Sequence, residues 1–210
     1  METGDLEGLA QRPQISVIVL AGGRSRRLGI DKSLLEIEGQ PLISRTVRAL
    51  ESLSDDLIIV TNEPSRYGSL AVVARFVPDE RRGMGSLMGI YSGLKVARYS
   101  HALAVACDMP FLSLPLLRFM ASLADGQDVV IPRLDELLEP LHSVYGRVCL
   151  PFMAALLEQG RRKITAFFPE VRVRYVEEQE IDLFDPSHLS FVNVNTPEDW
   201  ESAQKLLEAS

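Results

Sequence analysis

Short apolar runs rich in β-branched residues alternate along the chain with longer amphipathic stretches, and this alternation restricts the fold more than any other feature. Glycine, proline, asparagine or aspartate bounds each apolar run, which is typical of strands that end in turns. The predicted strands cover residues 15–20, 57–61, 72–76, 102–106, 128–131 and 171–176. The predicted helices cover residues 41–53, 87–97, 114–123, 148–158 and 197–208.

Strands that are apolar along their whole length and separated by helices predict a parallel sheet covered on both faces. We therefore expect an α/β fold, a doubly wound, Rossmann-like three-layer sandwich with a mostly parallel central sheet. Residues 15–210 contain no linker and no repeat of roughly 20–50 residues, so we expect a single domain there. Residues 1–14 are polar, unlike a signal peptide, and we interpret them as an N-terminal extension.

Charge and cysteine content exclude several classes of function. The net charge of −7 argues against a nucleic-acid binder, and the apolar run at residues 15–21 is too short to cross a bilayer. Cys107 and Cys149 have no paired spacing that indicates a disulfide framework or a zinc site, which favours the reducing cytoplasm. An anionic ligand therefore needs a local positive site.

Such a site follows the first predicted strand, in the segment where α/β sheets bind their ligands. There Gly22 and Gly23 precede residues 24–32, which carry four cationic side chains and one carboxylate. Glycines let the backbone approach a ligand closely, and successive N–H groups in such a turn bind anions. The dinucleotide fingerprint and the P-loop pattern both fail, because the glycines are adjacent and Lys32 follows Asp31. A solvated basic turn is the alternative for the arginines alone.

Over residues 20–32 the pattern Leu-Ala-Gly-Gly-x-Ser-x-Arg-Leu-Gly-x-Asp-Lys resembles the signature of the molybdenum cofactor guanylyltransferase (MobA-like) family of the nucleotidyltransferase superfamily. The resemblance implies a fold of the nucleotide-diphospho-sugar transferase type. It also implies that this loop wraps a nucleoside triphosphate with Gly22, Gly23, Arg27 and Lys32. A lysine ammonium suits phosphate oxygens.

Two later strand ends also fit the family pattern. Asn62 follows the second strand, and the resemblance places it beside guanine with the backbone of Leu20 and Ala21. Without the resemblance, an Asx turn before Pro64 is favoured for Asn62. Asp79 precedes a glycine-rich stretch, residues 83–89, which matches the family pattern except that Ser86 stands where proline is usual. The alternative for this stretch is a flexible turn followed by a tightly packed helix.

Asp108 is the strongest chemical candidate, since it follows a fully apolar strand in the sequence Cys-Asp-Met-Pro. A carboxylate at a buried strand tip is costly unless it is paired or binds a metal, and Mg²⁺ is commonly held by one or two carboxylates plus phosphates. The resemblance assigns Asp108 to Mg²⁺, with Asp79 joining through water. A turn cap before Pro110 is the alternative, and we expect Cys107 to be a packed neighbour.

The distal half carries weaker candidates. We expect His142, in an apolar stretch, to be a hydrogen-bonded structural residue rather than a general base. Residues 161–163 are three cations that either reach an acceptor phosphate or face solvent. Asn193 and Asn195 are expected on one face of a strand, followed by Thr196 as the cap of the last helix.

The resemblance implies transfer of GMP from GTP to the molybdopterin cofactor, with release of pyrophosphate and dependence on Mg²⁺. It further implies partner proteins that deliver the cofactor or accept the product, and a cytoplasmic location. The alternatives are a cytidylyltransferase for the same cofactor, a nucleotidyltransferase for a sugar phosphate, and a GTP-binding regulator without turnover. Intact Lys32 and Asp108 argue against the regulator.

Overall fold

The computed structural model describes residues 13–21, 35–37, 39–68 and 73–208. The strands of this part are β1 (Ser16–Leu20), β2 (Glu36–Ile37), β3 (Gln40–Pro41), β4 (Leu57–Val60), β5 (Arg75–Val77), β6 (His101–Ala106), β7 (Val129–Leu134), β8 (Leu137–Leu138), β9 (His142–Gly146) and β10 (Val173–Glu177). The α-helices are α1 (Leu42–Leu50), α2 (Ser86–Val96), α3 (Leu114–Ser122), α4 (Leu150–Glu158), α5 (Glu178–Ile181) and α6 (Pro197–Glu208). Short 3-10 segments cover Pro64–Tyr67, Arg147–Cys149, Ile164–Glu170 and Leu189–Phe191.

The strand β1 lies in the interior of the main sheet, whose described strands run in the order β10-β7-β9-β6-β1-β4-β5, with β8 paired to β7. It pairs in parallel with β4 and β6, and parallel pairing continues from β4 to β5 and from β7 to β10. Only β9 and β8, among these strands, run against their neighbours. The expected α/β fold with a mostly parallel sheet is confirmed.

Helices cover both faces of the sheet. On one face α1 and α3 pack against β1 side chains such as Val17 and Val19, and on the other α2 and α4 pack against Ile18. Because strand side chains alternate between the two faces, a strand that is apolar throughout is buried on both. This gives the three layers that the apolar runs predict.

The helix α2 lies unusually close to β1. A Cβ atom at Gly93 would stand 2.8 Å from Ile18 Cγ2, and one at Gly89 would stand 2.8 Å from Leu20 Cδ2. Glycine at these two positions therefore lets the helix backbone rest directly on the strand. The same contact fixes the first turns of α2 beside the carboxyl end of β1.

Several predicted boundaries are wrong in instructive ways. The strand predicted at residues 72–76 is β5, Arg75–Val77, because pairing with β4 at the sheet edge rather than local apolarity sets its limits. The helix predicted at residues 148–158 begins with the 3-10 segment Arg147–Cys149. Both cysteines are buried, which confirms the packing expected for Cys107. Within the described ranges, no helix is both long and apolar enough to span a bilayer.

Candidate active site at the carboxyl edge of the sheet

Four parallel strands end side by side and bring their following residues to one edge. The Ala21 N–H donates to the Val60 carbonyl at 3.0 Å, and the Cys107 N–H donates to the Leu20 carbonyl at 3.2 Å. On the far side of β4, the Thr61 N–H donates to the Val77 carbonyl at 2.9 Å. These bonds continue the strand pairing by one residue beyond the strands, so the segments carrying the predicted site residues leave the sheet together.

Asn62 and Asp79 form a reciprocal pair at this edge. Asn62 Nδ2 donates to Asp79 Oδ2 at 2.7 Å, and the Asp79 backbone N–H donates to Asn62 Oδ1 at 3.2 Å. Both the nitrogen and the oxygen of the Asn62 amide are thus bound to Asp79. These two bonds do not use the second N–H of the amide or the second lone pair of its oxygen. The pair orients the Asp79 carboxylate.

Leu20 and Asp79 meet at the first turns of α2. The space at Gly89 that a Cβ would occupy lies 2.8 Å from Leu20 Cδ2 and 3.7 Å from Asp79 Oδ1. Gly83 and Gly85, in the loop before α2, have φ angles of 78° and 77°, a conformation that favours glycine. The glycine-rich stretch that follows Asp79 therefore forms a turn and then a closely packed helix.

Asp108 lies partly exposed at the end of β6. Its backbone carbonyl accepts a hydrogen bond from the Val194 N–H at 2.9 Å, which attaches the segment before α6 to the strand end. The strand expected at Asn193 and Asn195 is absent from this part of the structure, so their placement on one strand face is wrong. Asn193 Nδ2 donates instead to the Phe191 carbonyl at 3.1 Å.

The cap of α6 is confirmed. Thr196 Oγ1 accepts from the Asp199 N–H at 3.1 Å, and Asp199 Oδ2 accepts from the Thr196 N–H at 2.8 Å. Two donors at the helix start are satisfied by this reciprocal arrangement.

The cationic loop lies outside the described residues. Gly22, Gly23, Arg27 and Lys32 all belong to residues 22–34, which are not among the described ranges. The described chain reaches Ala21 at the same edge as Asn62 and Asp79, and the loop follows Ala21 directly in sequence. The roles expected for these four residues therefore stay predictions.

A cavity of about 490 Å³ opens beside the first turn of α2. Ser86 forms one side of it, the β7–β8 hairpin and Pro140 form another, and the segment from Arg162 to Thr165 forms a third. Arg162 Cδ lies 4.0 Å from the Cβ position of Gly85. Two of the three cations at residues 161–163, Arg162 and Lys163, thus lie beside an apolar lining that the approach of two distant segments creates.

His142 is unsuited to act as a general base. Its side chain is fully buried on β9, and its ring lies 4.9 Å from the ring of Phe191. Burial lowers the pKa of His142 to about 4, although the nearby Asp185 carboxylate opposes the shift. The structural role is supported, but the expected hydrogen bonding is wrong, because neither ring nitrogen has a hydrogen-bond partner in the described part of the chain.

Burial raises the pKa of two further groups, Cys149 and Glu139. Burial raises the pKa of the Cys149 thiol to about 12, so this cysteine is an unreactive core residue. Burial also raises the pKa of Glu139, near the cavity rim. Among the described residues, no three His, Cys, Asp or Glu side chains gather into a metal cluster. One or two carboxylates suffice, however, for an ion that also binds substrate phosphates.

A family model and several relatives of known sequence match this chain over most of its length. The family described as "MobA-like NTP transferase domain" matches residues 17–175. The chain is 39% identical over 198 residues to a molybdenum cofactor guanylyltransferase of Desulfosudis oleivorans, covering 93% of this chain and 96% of that protein. It is 37% identical over 197 residues to a probable molybdenum cofactor guanylyltransferase of Pelotomaculum thermopropionicum, covering 94% and 95%.

A solved structure agrees with these relatives. The molybdopterin-guanine dinucleotide biosynthesis protein A of Archaeoglobus fulgidus superimposes with a TM-score of 0.82 and is 28% identical, covering 93% of this chain and all (100%) of that one. Its fold therefore corresponds to that of the present chain over nearly the full length.

Proposed function

The chain belongs to the MobA-like NTP transferase domain family, and on that premise we propose that it transfers GMP from GTP to the phosphate of the molybdopterin cofactor. The products are the guanine dinucleotide form of the cofactor and pyrophosphate. A phosphate oxygen of the acceptor attacks the α-phosphorus of GTP in line, and the bond from that phosphorus to the bridging oxygen of pyrophosphate breaks. An acceptor phosphate is already ionised near neutral pH, so the step needs no general base.

The observation that carries the proposal is the meeting of Leu20, Asn62, Asp79 and Asp108 at one edge of the sheet. Ligands of open α/β sheets bind beyond the carboxyl ends of the strands, and this edge is where the glycine-rich loop begins. The family resemblance matches each of these residues to the nucleotide site. Guanine is proposed to lie beside Asn62 and the backbone of Leu20 and Ala21.

Positioning and charge neutralisation supply most of the catalysis in this reaction class. We assign Lys32 and Arg27 to the β- and γ-phosphates, where their charges offset the negative charge of the departing pyrophosphate. The backbone N–H groups of Gly22 and Gly23 are assigned to phosphate oxygens in the same loop. These assignments rest on sequence resemblance.

The acidic residues at the edge fit a magnesium ion. Asp108 is a partly exposed carboxylate, and Asp79 Oδ1 is left over by the bonds to Asn62. Hard oxygen donors of this kind, together with substrate phosphates, are the usual magnesium ligands. Bound there, the ion would neutralise charge on the phosphates; Asp108 would hold it directly and Asp79 through water.

We assign the acceptor to the cavity beside α2. Ser86 at the cavity lies three residues before Gly89, about one helical turn from the contact with Leu20 and Asp79. Arg162 and Lys163 give one side positive charge, which suits a phosphate. Leu138 and Pro140 add apolar side chains to the lining, which suits a flat heterocycle. A cytoplasmic location is also proposed, as the family resemblance implies and as the two buried cysteines favour.

The test is a turnover assay with purified protein, molybdopterin cofactor, Mg²⁺ and one of GTP, CTP or UTP. We expect pyrophosphate release with GTP and much less with CTP or UTP. Preference for CTP would identify a cytidylyltransferase, and turnover only with a sugar phosphate would identify the third alternative. Tight GTP binding without pyrophosphate release would establish the regulatory protein and overturn the proposal.

A further inference from the structure

Two buried tyrosines each donate a hydrogen bond to a backbone carbonyl at the carboxyl edge. Tyr67 Oη donates to the Ala21 carbonyl at 3.0 Å, and Tyr145 Oη donates to the Pro140 carbonyl at 2.7 Å. Their side chains are 2% and 0% exposed, so neither lies in the open part of the site. The two bonded carbonyls lie in different halves of the edge.

Ala21 belongs to the nucleotide half. Its N–H is bound to the Val60 carbonyl and its own carbonyl to Tyr67, so both backbone groups have partners immediately before the glycine loop. Tyr67 in turn stacks on Phe76 of β5, with ring centroids 6.1 Å apart and planes 8° from parallel. A rigid aromatic pair therefore sets the position from which the glycine loop starts.

Pro140 belongs to the cavity. It lies in the bend between β8 and β9, and the preceding carbonyl of Glu139 accepts bonds from Ser143 Oγ at 2.6 Å and from the His142 N–H at 3.0 Å. Together with the Tyr145 hydroxyl, three donors of β9 thus bind the carbonyls of Glu139 and Pro140, two successive residues of this bend. Burial raises the pKa of Tyr145 above its usual range, so its hydroxyl is a protonated donor at neutral pH.

We propose that Tyr67 and Tyr145 are separate positioning residues for the two substrates. Tyr67 acts on GTP through Ala21, and Tyr145 acts on the acceptor through Pro140 and the apolar wall of the cavity. Neither side chain needs to touch a substrate. This inference rests on the proposed function, because it assigns the two halves of the edge to the two substrates of that reaction.

The test is steady-state kinetics on Tyr67→Phe and Tyr145→Phe, each of which removes one hydroxyl and keeps the ring. We expect Tyr67→Phe to raise the KM for GTP about three- to tenfold and to leave the acceptor KM within about twofold, from the loss of one hydrogen bond. Tyr145→Phe should raise the KM for the acceptor by a similar factor and leave the KM for GTP within about twofold. Ser143→Ala, which removes one of the two donors to the neighbouring Glu139 carbonyl, should resemble Tyr145→Phe.

Tyr99→Phe is the matched control. The Tyr99 hydroxyl donates to Asp55 Oδ1 at 2.8 Å, and its N–H bonds to Ser16 at the start of β1, the opposite end of the sheet. We expect this variant to change neither KM, and thermal unfolding of all four variants checks that each is folded. General structural damage would lower the melting temperature and kcat without separating the two KM values.

The outcomes distinguish this inference from the proposed function. A wild-type protein that releases no pyrophosphate with any nucleotide overturns the proposed function and the inference together. An active wild type whose Tyr67→Phe and Tyr145→Phe variants change both KM values in parallel, or neither, overturns the inference alone. Crossed changes in the two KM values, with Ser143→Ala following Tyr145→Phe, support it.

Discussion

Asn62 and Asp79 hold each other across the ends of β4 and β5, through one bond from a side-chain amide and one from a backbone N–H. The asparagine therefore has a structural task in addition to any contact with a base. Because the bonds bind both ends of its amide, they also fix which way that amide faces. A contact with a base must therefore use the second N–H of the Asn62 amide or the second lone pair of its oxygen, which Asp79 does not occupy.

Replacing Asn62 with alanine should lower the free energy of unfolding by about 1–2 kcal/mol, because two hydrogen bonds are lost at a partly buried site. Urea unfolding at pH 7 measures this. Asn62→Asp retains an acceptor for the Asp79 N–H but places two carboxylates together, so it should be less stable than Asn62→Ala at pH 7. That difference should shrink as the pH falls towards about 4. Unchanged stability in Asn62→Ala would contradict the prediction.

Asp108→Asn should reduce magnesium-dependent turnover by about a hundredfold or more, since a neutral amide oxygen binds Mg²⁺ more weakly than a carboxylate does. The bond from the Val194 N–H to the backbone carbonyl of residue 108 is kept in this variant, and its melting temperature checks that the fold is retained. Pyrophosphate release measured against Mg²⁺ concentration tests this. Asp125→Asn, at an exposed loop, is the control. Wild-type rates in Asp108→Asn would exclude this residue as the metal ligand.

Lys32→Ala should weaken binding of GTP about tenfold or more and leave binding of guanosine nearly unchanged, because the lysine is assigned to phosphates and not to the base. Calorimetric titration with the two ligands, at constant ionic strength, measures the difference. Arg27→Ala should behave in the same direction. Equal losses for GTP and guanosine would refute the phosphate assignment.

Stability should fall as the pH drops from about 6.5 to about 4, and His142 should contribute to that fall. Its pKa is lower in the folded protein than in the unfolded chain, so the unfolded chain binds the extra proton first as the pH decreases. A shift of this size corresponds to about 3 kcal/mol. Urea unfolding of the wild type and of His142→Phe, across this pH interval, separates the contribution. An identical pH dependence in both proteins would show that His142 is not responsible.

The three neighbouring strands β6, β1 and β4 could be predicted closely because each of them is apolar on both faces. β1, β4 and β6 differ from their predicted limits by only one residue. β5 could not be placed as well, since Phe76 is partly exposed at the sheet edge and pairing with β4 sets the strand's position. The strand β9 is missing from the predicted strands, and its antiparallel insertion between β6 and β7 depends on contacts distant in sequence.

By itself the sequence determined the layered α/β fold, the order of its parallel strands along the chain and the family to which it belongs, because these follow from local apolar patterns and short motifs. Only the tertiary structure decided that Asn62 binds Asp79, that His142 is buried without hydrogen-bond partners in the described part, and that Pro140 and Arg162 line one cavity. Such relationships join residues that are far apart in the chain, and their distances are set by how strands and helices pack, which no local pattern encodes.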